Sequence, residues 1–275
     1  MDATPDDIGF LVTSDHRVAV LDALTTGPSD RDGLRSATGA SSPTMSRILT
    51  DFEERNWVER EGRTYQLTGL GEFVAERLAE FVDAMAVEHQ LRDVWQWLPH
   101  EFDGFSVELF TDVEVTYPSP GYPDRLIERR TELISETATW RGFGVAMLGL
   151  RTLETSFDRF LDQEDEFQCE YIYPPEVFEE LLSWGDTETI INAADGESYT
   201  VLLHEDLPTD DRYELCLFDD RVTICCYDHE LGRLQALVET TSPDVWTWAE
   251  SCYERFRAEA RPLGDVYERD SLPSF

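Results

Sequence analysis

The sequence predicts an α+β chain in two parts: a small N-terminal domain and a C-terminal α/β domain with a mixed sheet, joined by a linker helix. Three observations predict this fold class. Residues 14–67 show three helical patterns and then two short strand patterns around a turn. Residues 69–89 show one long helical pattern. The remainder alternates strand and helix patterns and ends in a run of strands, which is typical of a mixed sheet covered by helices.

The first three helices are predicted from apolar spacing and from residues that start and stop helices. The first covers residues 14–24, with Ser14 as its cap, and the second covers residues 31–38, capped from Ser29 and ended by Gly39. The third runs from Ser41 to Asn56. Pro43 is tolerated in its first turn, and Asn56 suits the left-handed conformation at a helix end. Its apolar face consists of Met45, Ile48, Leu49 and Phe52.

Residues 57–67 predict two strands that turn at Glu61-Gly62, and Thr68 then caps the next helix. Three helices followed by a hairpin are typical of a winged helix-turn-helix domain, to which we assign residues 1–70. In that geometry the third helix enters the major groove of double-stranded DNA and its first turns meet the base edges. The hydroxyl and arginine side chains there suit base recognition, and two arginines of the wing suit phosphate or minor-groove contacts. The predicted DNA-binding residues are Ser42, Thr44, Ser46, Arg47, Arg60 and Arg63.

Residues 71–102 are predicted to be linker or dimerisation helices. An apolar stripe recurs at spacings of four, three and four residues, at Val74, Leu78, Phe81 and Met85. Such a stripe either packs on the chain's own winged helix or forms a seam with a second copy. Residues 91–98 continue the helical pattern until Pro99.

Residues 103–275 are predicted to form the α/β domain, an effector or sensor domain. The predicted strands cover residues 113–116, 142–148, 167–173, 199–203, 213–218, 221–227 and 234–239. The predicted helices cover residues 124–138, 153–161, 175–184 and, capped by Ser242, 242–263, with a loose tail after Gly264. Asp219-Asp220 is the predicted turn of a hairpin.

Arg141 comes directly before the strand predicted over residues 142–148, and Tyr171 and Tyr173 lie on the next predicted strand. Together they suit a pocket for an anionic small-molecule effector, with ordinary core packing as the equal alternative.

Two other groups of residues contain cysteine or histidine side chains close together in the sequence. Cys216 and Cys225 fall diagonally on one face of the hairpin, a pattern compatible with redox sensing or with apolar filling. His229 lies close to Cys225 and Cys226, but the ligand set is incomplete, so no metal site is predicted. No phosphate-binding loop, dinucleotide turn or nucleophile–base motif is present. We therefore expect no cofactor and no catalytic residues.

The charge is extreme: the chain has 58 acidic residues and 22 arginines but no lysine, and its net charge is −36. Molar salt screens such self-repulsion, so this composition is typical of halophiles that keep salt inside the cell. Residues 1–70 hold seven arginines and twelve acids, net −5, whereas residues 71–275 hold fifteen and forty-six, net −31. The sequence has no apolar run long enough for a membrane span and no signal-peptide pattern, so we expect a cytoplasmic protein.

Residues 41–49, 53–60 and 65–68 resemble archaeal winged-helix regulators of the ArsR/MarR style. The rest is similar to a haloarchaeal and methanogen regulator family, whose sensor domain is that of a methanogenesis regulatory protein. The resemblance lies in residues 112–115, 120–129, 170–174, 217–222 and 248–250. It implies a C-terminal effector domain, a homodimer and a sheet distantly like that of phospholipase D. The catalytic pattern of that enzyme class needs lysine, so its activity is not expected here.

The sequence therefore favours a sequence-specific DNA-binding transcriptional regulator. A protein-interaction adaptor at the transcription machinery is the first alternative. An enzyme with an accessory winged helix is the second.

Overall fold

The computed structural model describes residues 4–122, 124–144, 167–184, 191, 193–194, 198–207, 213–228 and 233–267. The chain divides into two compact units, Met1–Glu88 and His89–Phe275. The helix predicted over residues 153–161 lies outside the described residues, as do residues 145–148 of a predicted strand and residues 268–275 of the predicted tail. Within the described part of the chain, every helix is too short or too polar to cross a membrane.

The N-terminal unit is a winged helix-turn-helix, as predicted, with two further elements. Its helices are α1 (Thr4–Val12), α2 (Asp15–Thr25), α3 (Arg31–Thr38), α4 (Ser42–Glu54) and α5 (Gly69–Leu91), and its strands are β1 (Ser29–Asp30), β2 (Val58–Glu61) and β3 (Thr64–Leu67). Helix α1 and strand β1 were not predicted. The hairpin β2–β3 is antiparallel, and β1 pairs with the far side of β3, so the sheet order is β1-β3-β2. The two residues of β1 form a strand only because they pair with β3, and a local sequence pattern does not reveal that pairing.

The helix ends follow capping chemistry, with two corrections. Gly39 and Asn56 adopt positive φ of 68° and 55° and end their helices as predicted. Asp30, not Ser29, caps α3: its carboxylate accepts the backbone N–H three residues on at 2.8 Å. Ser14 occupies the cap position of α2, but its side chain makes no capping hydrogen bond.

Helix α5 begins where predicted, because Thr68 Oγ1 accepts the N–H of Gly71 at 3.1 Å. The extension of helix over residues 91–98 is wrong. The α-helix ends at Leu91, whose carbonyl oxygen accepts the N–H of Val94, three residues on. Beyond it, only Trp95–Trp97 form a short 3-10 turn.

The C-terminal unit is built on one mixed sheet of eight strands. The strands are β4 (Glu114–Thr116), β5 (Thr139–Gly144), β6 (Gln168–Tyr173), β7 (Tyr199–Leu203), β8 (Tyr213–Phe218), β9 (Val222–Tyr227), β10 (Leu234–Thr240) and β11 (Arg261–Pro262). Their order is β11-β7-β6-β5-β8-β9-β10-β4. Strands β5, β6 and β7 are parallel, and the other pairings are antiparallel. This confirms the predicted mixed sheet, including the turn between β8 and β9.

Helices cover both faces of this sheet. They are α6 (Arg125–Glu136), α7 (Pro175–Trp184), α8 (Pro243–Glu259) and a short α9 (Leu263–Val266). Helices α6 and α7 share a buried core with one face, which includes Trp140, Tyr171 and Phe218. Helix α8 packs on the other face, where the Phe256 and Phe143 ring centroids lie 4.9 Å apart.

Strand β5 starts at Thr139, three residues before the predicted start at Gly142. The glycines lie inside the strand because the neighbouring strand β8 approaches them closely. A Cβ at Gly142 would lie 2.9 Å from the Leu215 carbonyl oxygen, and one at Gly144 would lie 2.8 Å from Glu214 Cα. At the far end, α8 stops at Glu259, short of the predicted residue 263, because residues 261–262 pair with β7 instead.

Candidate nucleic-acid interface

Helix α4 turns one side towards the core and presents the other to solvent. Met45, Ile48, Leu49 and Phe52 are buried, as the apolar spacing predicts. The helix starts where Ser41 Oγ accepts the N–H of Thr44 at 3.3 Å.

The six predicted DNA-binding residues differ in how many hydrogen bonds their side chains already make within the chain. Ser46 Oγ donates to the Ser42 carbonyl oxygen at 3.1 Å, and Ser42 Oγ accepts a bond from Arg31 at 2.9 Å. Both serines are half-buried. Thr44 Oγ1 pairs with the neighbouring cap hydroxyl at 2.8 Å. Arg47 is exposed, with no hydrogen bond or ion pair among the described residues.

The two wing arginines lie on either side of the hairpin turn. Arg60 is exposed, donates from Nε to the Gly62 carbonyl oxygen at 3.0 Å, and stacks over the Tyr65 ring at 5.5 Å. Arg63 is exposed beside Gly62, whose φ of 61° makes the turn. The wing therefore presents two guanidinium groups at its tip.

The start of α4 is distinguished by a lack of acid. Of the α-helices that the structure describes, α4 alone has no acidic residue in its first turn. The others carry at least one there, at Asp6, Asp7, Asp15, Asp32, Glu72, Glu128, Glu176, Asp244 and Asp265. Acid at a helix N-terminus is stabilising, since it complements the helix dipole. In a chain with 58 acidic residues, the first turn of α4 is therefore a locally acid-free surface.

A feature that the sequence reasoning missed holds the far end of α4. Phe10 of α1 lies between two guanidinium groups, those of Arg17 and Arg55, each 3.9 Å from its ring centroid. Arg17 also donates to the Phe10 carbonyl oxygen at 2.6 Å and pairs with Asp51 at 3.8 Å. Both guanidinium groups are therefore engaged in contacts within the N-terminal unit.

The predicted effector residues of the C-terminal unit do not come together. Arg141 pairs in register with Glu170, whereas Tyr171 pairs with Gly142, so strand alternation places Arg141 on the opposite face from Tyr171 and Tyr173. Arg141 forms ion pairs with acidic residues of α8. Both tyrosines are buried in the core under α6 and α7. The three side chains therefore do not line a common pocket, which corrects the expectation.

That core holds a buried ion pair that the sequence did not reveal. Arg130 of α6 and Glu214 of β8 are joined by two hydrogen bonds, with side chains 4% and 0% exposed. Glu214 also accepts from the Tyr171 hydroxyl at 2.6 Å and the Tyr227 hydroxyl at 3.2 Å. Residues from three strands and one helix meet here, and no local signal in the sequence predicts it.

The five cysteines are all buried and unpaired. Burial raises the pKa of Cys225 to about 12 and that of Cys216 well above its ordinary value, so both are thiols at neutral pH. No group of three potential metal ligands occurs among the described residues. His229 lies outside them.

These features define a class: a winged helix-turn-helix domain joined to a mixed-sheet α/β domain. Two family models match the sequence. One is the HVO_A0261 N-terminal domain, over residues 5–90. The other is the middle domain of the methanogenesis regulatory protein FilR1, over residues 123–259. The chain is therefore similar to these two domain families, which together match most of its length.

Solved structures with similar arrangements are distant. TrmBL2, an archaeal chromatin protein described as binding DNA, is 13% identical with a TM-score of 0.42, covering 90% of this chain and 94% of its own. NucT from Helicobacter pylori is 11% identical with a TM-score of 0.41, covering 55% and 100%. The phospholipase D family member Nuc from Salmonella typhimurium is 10% identical with a TM-score of 0.41, covering 55% and 97%. Such TM-scores support no statement about function. No curated protein matches the sequence.

Proposed function

We propose that this chain is a homodimeric, sequence-specific DNA-binding transcriptional regulator. Residues 1–70 read DNA, residues 71–102 mediate dimerisation, and residues 103–275 sense a signal. The observation that carries the proposal is the acid-free first turn of α4, with the exposed Arg47 one turn further on. Similarity to these two domain families supports it.

The six candidate residues divide into three roles on this proposal. Thr44 and Arg47 are best placed to meet base edges, since an arginine bonds guanine with two donors. Ser42 and Ser46 shape the backbone that carries them, because their hydroxyls are engaged locally. Arg60 and Arg63 contact phosphate or the minor groove from the wing.

Fluorescence anisotropy in molar KCl tests this proposed DNA recognition. The probe is a DNA fragment that the wild-type protein selects from a random pool. Arg47→Ala is expected to weaken binding by about 1–3 kcal/mol and to relax specificity at one base position. Arg255→Ala is the matched control, since Arg255 is 45% exposed but lies in the C-terminal unit. Equal affinities for wild type, Arg47→Ala and Ser46→Ala would contradict the docking of α4. Footprinting that shows no protected site would favour the adaptor instead.

The dimer proposal rests on α5, where the predicted stripe divides in two. Val74 and Leu78 pack on the core of the N-terminal unit. Phe81 and Met85 continue the stripe beyond that core and are 52% and 44% exposed. They line a groove of about 680 Å³ between α2 and α5. Residues 79–86 are all exposed. These apolar side chains lie together on α5 beyond the contacts of the N-terminal core, so we propose that a second copy covers them.

Light scattering coupled to gel filtration in 2 M KCl tests this surface. The wild type is expected at twice the chain mass of 31.6 kDa, and Phe81→Asp/Met85→Asp at the single mass. Val107→Asp, at a residue 38% exposed in the C-terminal unit, is the control. A wild-type monomer, or a double variant that stays dimeric, would refute this interface.

We also propose that the C-terminal domain has no hydrolytic activity of the phospholipase D type. The catalytic pattern of the phospholipase D class, which the family's sheet resembles, requires lysine, and this chain has none. A bis-p-nitrophenyl phosphate assay should therefore show no turnover above buffer.

A further inference from the structure

Arg31 joins the two helices of the helix-turn-helix at their starts. It is the first residue of α3, and Ser42 is the first residue of α4. Its Nη2 donates to the Ser42 carbonyl oxygen at 2.6 Å and to Ser42 Oγ at 2.9 Å. A single guanidinium group thus bridges the turn between the helices.

The same carbonyl oxygen accepts the hydroxyl of Ser46 at 3.1 Å. Arg31, Ser42 and Ser46 therefore form one network along the first turn of α4. This turn carries Thr44 and leads directly to Arg47, the two side chains that we place nearest the bases. The network fixes the backbone from which they project.

The helix dipoles do not favour an arginine at the position of Arg31. The N-termini of helices are positive, so a cation at the start of α3 and α4 is unfavourable. In α3 the acidic Asp30 and Asp32 offset it. In α4 no acidic residue of the first turn does so. A residue placed against its local preference is expected where binding, and not folding, requires it.

We infer that Arg31 is a positioning residue for DNA recognition: it sets the placement of the first turn of α4 through Ser42 without touching DNA. This inference rests on the proposed DNA binding. It differs from a phosphate contact, which would act on all sequences equally and contribute to the salt dependence of affinity.

The test compares Arg31→Ala with Arg35→Ala in the full-length protein. Arg35 lies one turn further along α3, and its side-chain contact is with Asp32 on the same helix. Both variants lose one positive charge, so the pair separates charge from geometry. The probes are the DNA fragment selected by the wild type and the same fragment with its sequence scrambled.

Arg31→Ala is expected to weaken binding to the selected fragment at least 10-fold. Binding to the scrambled fragment and the slope of log affinity against log KCl should stay unchanged. Arg35→Ala should leave all three at wild-type values. Equal weakening on both fragments, with a slope reduced by about one, would identify a phosphate contact and overturn the inference. Unchanged discrimination would also overturn it.

Amide hydrogen exchange provides a readout that needs no DNA. Exchange of the amides of residues 45–49 is expected to accelerate in Arg31→Ala and not in Arg35→Ala. Should Arg31→Ala not fold, Arg31→Gln, with a shorter uncharged side chain, replaces it. A wild type that binds no DNA would defeat the proposed function alone. Unchanged exchange would defeat the positioning role whatever the DNA result.

Discussion

The buried pair of Arg130 and Glu214 allows a sharp prediction about the stability of the C-terminal unit. Glu214→Gln removes the negative charge but keeps an acceptor for the Tyr171 hydroxyl, which lies 2.6 Å from the carboxylate. Arg130 then keeps its positive charge, with its side chain 4% exposed and its main counter-ion gone. Desolvation alone lowers the pKa of Arg130, and the nearby Glu214 carboxylate more than reverses this, so the native pKa is raised.

Breaking a fully buried pair on one side costs about 3–5 kcal/mol, because an uncompensated charge remains in the interior. For a unit of this size, roughly 1 kcal/mol corresponds to about 2–4 °C in melting temperature. Glu214→Gln is therefore expected to lower the melting temperature of the C-terminal unit by about 6–20 °C.

Calorimetry in 2 M KCl measures the effect, with Asp103→Asn as the control. Asp103 pairs with Arg255 at 3.3 Å but is 99% exposed, and an exposed pair contributes about 0–1 kcal/mol. The double variant Arg130→Met/Glu214→Gln removes both charges and is expected to recover at least half of the loss. If Glu214→Gln costs no more than Asp103→Asn, or if the double variant is no better than the single one, the reasoning is wrong.

Three further predictions concern packing, thiol reactivity and pH. Gly71→Ala should destabilise the N-terminal unit by about 1–3 kcal/mol or more, since its Cβ would lie 1.9 Å from the Trp57 carbonyl oxygen; Gly69→Ala, with nothing within 4 Å, should stay near wild type in thermal unfolding. Because burial raises the pKa of Cys225 to about 12, the five buried cysteines should not react with Ellman's reagent at pH 8 unless the protein is denatured, and rapid native reaction would restore redox sensing. Partial burial by itself raises the pKa of Asp219. Hydrogen bonds from residues 138 and 139 lower it by a larger amount, so the native pKa lies below the ordinary value. Asp219→Asn should then cost stability at pH 7, and its difference from wild type should disappear as pH falls through the depressed native pKa; a difference that persists in acid would contradict this.

The sequence predicts what local chemistry determines. The apolar spacing of α4 and the left-handed Asn56 mark that helix without any tertiary information. The same holds for α7, whose predicted ends agree with the structure. Helix α1 is different, because its position depends on the stacking of Phe10 between two arginines that come later in the chain.

Strand register limits what can be predicted of a site on a sheet. Arg141 and Tyr171 are on neighbouring strands, yet a shift of one residue in pairing decides whether they share a face. Glu214 shows the same limit more strongly. Its position in β8 resembles a solvent-facing strand residue, and its burial depends on an arginine 84 residues away.

Local charge matters more than net charge for an acidic protein that approaches DNA. In 0.1 M salt the Debye length is about 10 Å, so the acidic residues surrounding α4 would oppose a polyanion at that range. In 1 M salt it falls to about 3 Å, less than the length of one arginine side chain, and distant acids no longer act. Counterion release then drives little of the binding, so affinity depends on direct contacts at the surface itself. An acid-free first turn and an exposed Arg47 are what such a surface needs, and a net charge of −36 on the whole chain is compatible with it.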